Sequence, residues 1–119
     1  MWEVEYTDEF EAWWNALTEK QQEALAARVR LLQKNGPALR RPYVGEIKGS
    51  AFDPQMKELI CDEEGSLRVL FMFDPRRTAI LLIGGDKTGL WNRWYQSAIP
   101  AADELYCIYL DELRAEGRI

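Results

Sequence analysis

Apolar and polar side chains alternate at the start of the chain, with Trp2, Val4 and Tyr6 set against Glu3 and Glu5. This two-residue period predicts a strand with one buried face. The period then lengthens. Thr7 followed by Asp8, Glu9 and Glu11 predicts a helix start, because acids in the first turn complement the positive end of the helix dipole. Phe10, Trp13, Trp14 and Leu17 follow at helical spacing. Thr18 and Gln21 have the spacing of a capping box and restart a helix whose Leu25, Val29 and Leu32 form one apolar stripe. Asn35-Gly36-Pro37 ends that helix, so the first half reads as a strand followed by a helical hairpin over 7–34.

From Gly36 to Pro54 the chain is rich in Gly, Pro and polar residues, with a short strand candidate at Val44–Ile47. Three strand candidates follow, Met56–Cys61, Leu67–Phe73 and Thr78–Ile83, joined by turn-like segments at 62–66 and 74–77. Connections this short imply an antiparallel meander. In the middle strand Leu67, Val69, Phe71 and Phe73 share one face and Arg68, Leu70 and Met72 the other, which makes Arg68 an isolated cation on an apolar strand. Gly84-Gly85 is expected to stop the last strand. Trp91–Tyr95 is a compact aromatic segment, and its rings and those of Trp13 and Trp14 are most economically read as packing residues. Pro100 sits where a helix can begin, and Ala102, Leu105, Tyr106, Tyr109, Leu110 and Leu113 carry a helical stripe to the end.

Composition narrows the class. At 119 residues, 47% hydrophobic and 29% charged, the chain is too apolar for a disordered tail and is expected to form one α+β domain over 1–119. The N-terminus has neither a basic leader nor an apolar core of the signal-peptide kind, and the run Ala79–Ile83 is too short to cross a bilayer, so a cytoplasmic protein without membrane association is expected. Cys61 and Cys107 stand far apart, and the chain contains no histidine. Neither a disulfide framework nor a metal site is indicated, and no cofactor motif is present.

Net charge is −5, but its distribution matters more. Residues 1–33 carry three bases and seven acids, residues 34–93 ten and eight, and residues 94–119 two and five. A local excess of cations in the middle of the chain is compatible with a grip on RNA. Without histidine, Ser-His and Cys-His nucleophiles are excluded. The remaining candidates are Lys57, Arg68, Arg76, Arg77, Lys87 and Arg93 at strand positions and strand ends, with Tyr95 beside them. Cations suit phosphodiester chemistry because negative charge accumulates on the phosphoryl oxygens in the transition state. RNA supplies its own nucleophile, the 2′-hydroxyl, so a protein need only orient it, neutralise charge and move protons. Side-by-side strands would bring Lys57 and Arg68 to one phosphate. The plainer readings are that Arg76-Arg77 is a solvated turn and that Lys57 and Glu58 form a surface pair.

At Lys57-Glu58-Leu59, Arg68-Val69-Leu70-Phe71, Asp74-Pro75-Arg76-Arg77, Gly84-Gly85-Asp86-Lys87 and Trp91-Asn92-Arg93-Trp94-Tyr95, the chain resembles HigB-like toxins of the RelE/ParE superfamily, including phage-derived relatives. The resemblance implies a RelE-like fold, with a twisted, mainly antiparallel sheet, an N-terminal helical hairpin and a C-terminal helix. It implies the toxin of a type II toxin-antitoxin system, a metal-independent endoribonuclease that cleaves mRNA on the translating ribosome and is held in a hetero-oligomer by a helix-turn-helix antitoxin. It assigns Lys57 and Arg68 to the scissile phosphate, Tyr95 to stacking or proton transfer, and Arg76, Arg77, Lys87 and Arg93 to RNA contacts. Ile60 stands where relatives typically carry an arginine. A noncatalytic, ParE-like poison of DNA gyrase and an inactive antitoxin-binding module remain as alternatives.

Overall fold

The computed structural model describes residues 1–119 as β1 (Val4–Tyr6), α1 (Asp8–Asn15), α2 (Glu19–Asn35), a 3-10 turn (Gly36–Ala38), β2 (Val44–Glu46), β3 (Lys57–Cys61), β4 (Leu67–Phe73), β5 (Ala79–Asp86) and α3 (Asn92–Ala115). Local chemistry sets the helix starts. The Thr7 side chain accepts a hydrogen bond from the Phe10 amide at 3.1 Å, and its hydroxyl donates to the Leu82 carbonyl at 2.6 Å, so one residue caps α1 and fastens it to the sheet. Thr18 and Gln21 form the expected capping box on α2.

The five strands lie in the order β1-β5-β4-β3-β2. The β2–β3, β3–β4 and β4–β5 pairs are antiparallel, and β1 returns to pair in parallel with β5. Strand alternation divides the core between the two faces. Leu59, Val69, Phe71 and Leu81 meet Phe10, Leu25 and Leu32 of the helical hairpin on one face. Leu70, Met72, Ile80 and Leu82 meet Ala98, Ile99, Ala102 and Tyr106 of α3 on the other. No helix is long and apolar enough to cross a membrane.

Three sequence expectations need correction. Tyr6 is 52% exposed rather than buried with Val4, because β1 is the sheet edge and α1 turns away directly after it. Gly84 and Gly85 do not stop β5 but lie inside it. A Cβ at Gly84 would overlap the Trp13 ring, and one at Gly85 the Trp94 indole, so both glycines admit aromatic side chains against the strand backbone. Finally, α3 begins at Asn92 and runs through Pro100. Pro100 is exposed, whereas Ala98, Ile99, Ala102 and Tyr106 are buried on either side of it, so packing on the sheet sustains the helix across the lost amide donor.

Candidate functional site

Arg68 is held in the middle of the sheet, paired in register with Ile60 of β3 and Gly85 of β5 and facing α3. It is 8% exposed, and a buried guanidinium needs counter-charge. Glu58, 6% exposed and two residues from Ile60 on the same face, brings Oε1 to 3.2 Å from Arg68 Nε. That approach is an ion pair without hydrogen-bond alignment, because Nε has no hydrogen-bond partner. Arg68 Nη1 donates to Asp62 Oδ1 at 2.6 Å and to the Leu67 carbonyl at 2.9 Å. Burial alone would lower the guanidinium pKa, but the hydrogen bond it donates to Asp62 and the charges of Asp62 and Glu58 raise it, so Arg68 is a permanent cation.

The first turn of α3 completes the cluster. Because Gly85 admits the Trp94 ring, the helix start lies close on the sheet and the Tyr95 hydroxyl donates to Glu58 Oε1 at 3.0 Å. Lys87 Nζ, from the β5–α3 connection, donates to the Tyr95 oxygen at 3.3 Å and lies 5.2 Å from the centre of its ring. Asp86 Oδ1 accepts from the Ser66 and Thr88 amides and from the Thr88 hydroxyl, which ties the β3–β4 turn to the segment carrying Lys87. Burial opposes ionisation of Asp86, but these bonds from Thr88 and Ser66 outweigh it and hold the carboxyl below its ordinary value. A depression of about 290 Å³ opens over Glu58 and Tyr95, with Lys48 and Asn92 also in its lining. A larger hollow of about 540 Å³, between β1 and the helical hairpin, is lined by seven apolar residues and by Glu11, Asn15, Arg30 and Gln33, whose side chains are not hydrogen-bonded to one another.

Burial and the Glu58 carboxylate push the Tyr95 phenol up to about 12. Burial and Glu5 do the same to Tyr109, and burial and Glu63 push Cys61 up to about 11. Each group keeps its proton longer in the folded chain than in the unfolded one, so its contribution is intact below its unfolded value and lost as pH rises through the folded value. Stability is therefore expected to fall between pH 9 and 12, with a lower urea midpoint at pH 11.5 than at pH 8. Tyr95→Phe should reduce the part of that fall lying above pH 10.

The expected pairing of Lys57 with Arg68 is not formed. Lys57 stands opposite Phe71 and points to the face covered by the helical hairpin, where its Nζ lies 3.6 Å from Glu46 Oε1. An odd separation along the β3–β4 ladder puts the two cations on opposite faces of the sheet. Arg68 is also not isolated, since Glu58 and Asp62 neutralise it.

Arg76 and Arg77 lie at the far end of β4. Arg76 pairs with Asp74 at 2.7 Å and Glu5 at 3.3 Å, and Arg77, at φ 66°, lies 4.7 Å from the centre of the Trp2 ring. Arg93 is exposed in the first turn of α3 without an ion pair. Sequence reasoning missed Glu58 and Asp62 as counter-ions. The available signal was the five-residue connection between β3 and β4, which sets a register placing Glu58 diagonally across from Arg68 on the same face.

The chain's relatives agree with this architecture. Residues 12–107 match the phage-derived Gp49-like protein family. The chain is 46% identical over 94 residues to a Mycobacterium tuberculosis protein named as toxin HigB3, covering 79% of this chain and 81% of that one. It is 42% identical over 101 residues to a second, named as toxin HigB2, and spans half of that protein's length. Among solved structures, isolated E. coli RelE superimposes with a TM-score of 0.58 at 11% identity, over 72% of this chain and 84% of RelE. An arginine-substituted RelE in the free state gives 0.61 at 11% identity, over 83% and 95%. RelE solved in its RelBE toxin-antitoxin complex gives 0.57 at 9% identity, over 72% and 96%. With the family model spanning most of its length, the chain belongs to the phage-derived Gp49-like family and to the HigB-type toxins built on the RelE fold.

Proposed function

We propose that this chain is the toxin of a type II toxin-antitoxin pair and that it cleaves mRNA at the Arg68–Glu58–Tyr95–Lys87 cluster. The observation that carries this reading is the 3.0 Å hydrogen bond between the Tyr95 phenol and the Glu58 carboxylate beneath an open depression, with Arg68 paired to the carboxylate and Lys87 donating to the phenol oxygen. A carboxylate and a phenol so joined can move protons in both directions, while Arg68 holds the carboxylate in place and Lys87 offsets charge on a phosphate.

The reaction forms a bond from the 2′-oxygen to phosphorus and breaks the bond from phosphorus to the 5′-oxygen. Glu58 takes the proton of the 2′-hydroxyl, and Tyr95, which is protonated at neutral pH because its pKa is about 12, gives its proton to the departing 5′-oxygen. The proton on Glu58 then returns to the Tyr95 oxygen along their hydrogen bond. The products are a 2′,3′-cyclic phosphate and a free 5′-hydroxyl. Lys87 and Arg93 extend the cationic surface toward RNA, and Lys57 contributes a more distant contact from the other face of the sheet. Arg76 and Arg77, engaged with Glu5, Asp74 and Trp2, serve the fold. The partner in this reading is a helix-turn-helix antitoxin, and the message is presented by the translating ribosome in the cytoplasm.

Expression of the chain without a partner should arrest growth and leave new 5′-hydroxyl ends inside coding sequences. Tyr95→Phe should slow their appearance about a hundredfold or more and also cost about 1–3 kcal/mol of stability, because it leaves the buried Glu58 carboxylate without its hydrogen-bond donor, so the comparison is made at equal folded concentration. Growth arrest with intact transcripts would instead support the gyrase-poison reading, and continued growth would support the inactive binding module.

A further inference from the structure

Trp91 occupies the N-cap position of α3 at φ 49° and ψ −119°, with no side-chain cap hydrogen bond, and 54% of it is exposed. Each feature is unfavourable for stability. N-caps favour Ser, Thr, Asp and Asn, whose oxygens satisfy free amides, and an indole cannot do this. Positive φ strains a side chain of this size. The large exposed surface shows that packing offsets little of either cost. A scattered exposed apolar residue needs no explanation, but a strained one at a helix start does.

The surroundings indicate what would cover it. The Trp91 amide donates to the Lys87 carbonyl at 2.8 Å, which fixes its backbone on the connection that carries Lys87. Arg93, exposed and without an ion pair, follows two residues later. The single acid between residues 84 and 97, Asp86, is engaged by Ser66 and Thr88. In a chain of net charge −5 this segment is locally basic, and one helical turn, about 6 Å, separates position 91 from Tyr95. An exposed aromatic face among cations suits single-stranded nucleic acid, in which every base offers a face for stacking and every nucleotide a negative charge.

We propose that Trp91 is a stacking platform for an unpaired nucleobase of single-stranded RNA next to the phosphate held at the Tyr95 cluster. The proposal rests on the RNA-directed reading above and adds a base contact to it. The strained backbone holds the indole outward before RNA arrives, which reduces the ordering cost of binding.

The test uses the full chain and short single-stranded oligonucleotides that cannot be cleaved because all sugars are 2′-O-methylated, one complete strand and a series with an abasic nucleotide at each position in turn. The complete strand should quench tryptophan fluorescence and bind more tightly than its weakest abasic counterpart, by five- to about a hundredfold. Trp91→Ala should bind both strands equally, Trp91→Phe should keep part of the preference, and Trp91→Phe should lose the quenching. A preference for bases that persists in Trp91→Ala would overturn the platform, as would wild-type binding indifferent to the abasic change or absent altogether. A Trp91→Ala effect on self-association or antitoxin affinity, with no effect on oligonucleotide binding, would overturn it in favour of a protein contact. Mapping of transcript ends after induction is independent of these titrations: intact transcripts with Trp91-dependent base preference would remove the nuclease and keep the platform, whereas cut transcripts without that preference would do the reverse.

Discussion

Arg68→Ala should be inactive and should also lose about 3–5 kcal/mol of stability, because it leaves the Glu58 carboxylate, 6% exposed, without its cation. The two losses have different origins and can be separated. Adding Glu58→Gln removes the uncompensated charge while keeping an acceptor for the Tyr95 hydroxyl, so the double variant should recover more than half of the lost stability in urea denaturation. It should remain inactive in growth arrest, since both the cation that holds residue 58 and the proposed proton acceptor are gone. Asp62, whose side chain is 60% exposed, needs no such rescue, because water can replace Arg68 around it. An Arg68→Ala chain that is as stable as the wild type would contradict the buried pair, and one that still arrests growth would remove Arg68 from the site.

Gly85→Ala should abolish activity and destabilise the fold, whereas Gly84→Ala should destabilise it and leave the folded fraction active. Both replacements add a methyl group where an aromatic ring already stands, a kind of overpacking that typically costs about 1–3 kcal/mol. The rings differ in what they hold. Gly84 faces Trp13 of α1, on the face of the sheet away from the cluster, so its cost falls on the hairpin packing alone. Gly85 faces Trp94, whose neighbour Tyr95 donates to Glu58, so a displaced indole carries the phenol out of hydrogen-bond range. Urea midpoints give the stability of each variant, and mapped 5′-hydroxyl ends at equal folded concentration give its activity. Equal activity in the two variants would mean that Trp94 does not position Tyr95.

Much of the architecture was legible in order along the chain. The acid-rich start after Thr7, the capping box at Thr18, the Gly36-Pro37 stop and the alternation of Leu67–Phe73 are local signals, and all lie within a turn or a strand of the element they specify. The likeness to HigB-type toxins was also carried by short segments in their order along the chain, and the relatives bear it out. Arg68 stood out for the same reason, as a charge at an apolar position of one strand.

What could not be read locally was which face each charge takes and what meets it there. Lys57 and Arg68 look like neighbours along two adjacent strands, but ladder register separates them, and one residue of offset is enough to exchange one face for the other. Gly84-Gly85 looked like a stop because nothing nearby in the sequence shows that Trp13 and Trp94 arrive over the backbone from two different helices. Glu58 looked like the surface partner of Lys57 until β4 brought Arg68 beside it. The sequence by itself determined most elements and the family likeness, because these rest on local patterns along the chain, while the end of β5 and the start of α3 waited on packing. Tertiary structure alone decided the cluster, because burial, counter-charge and the Tyr95–Glu58 bond arise only between residues that are distant along the chain.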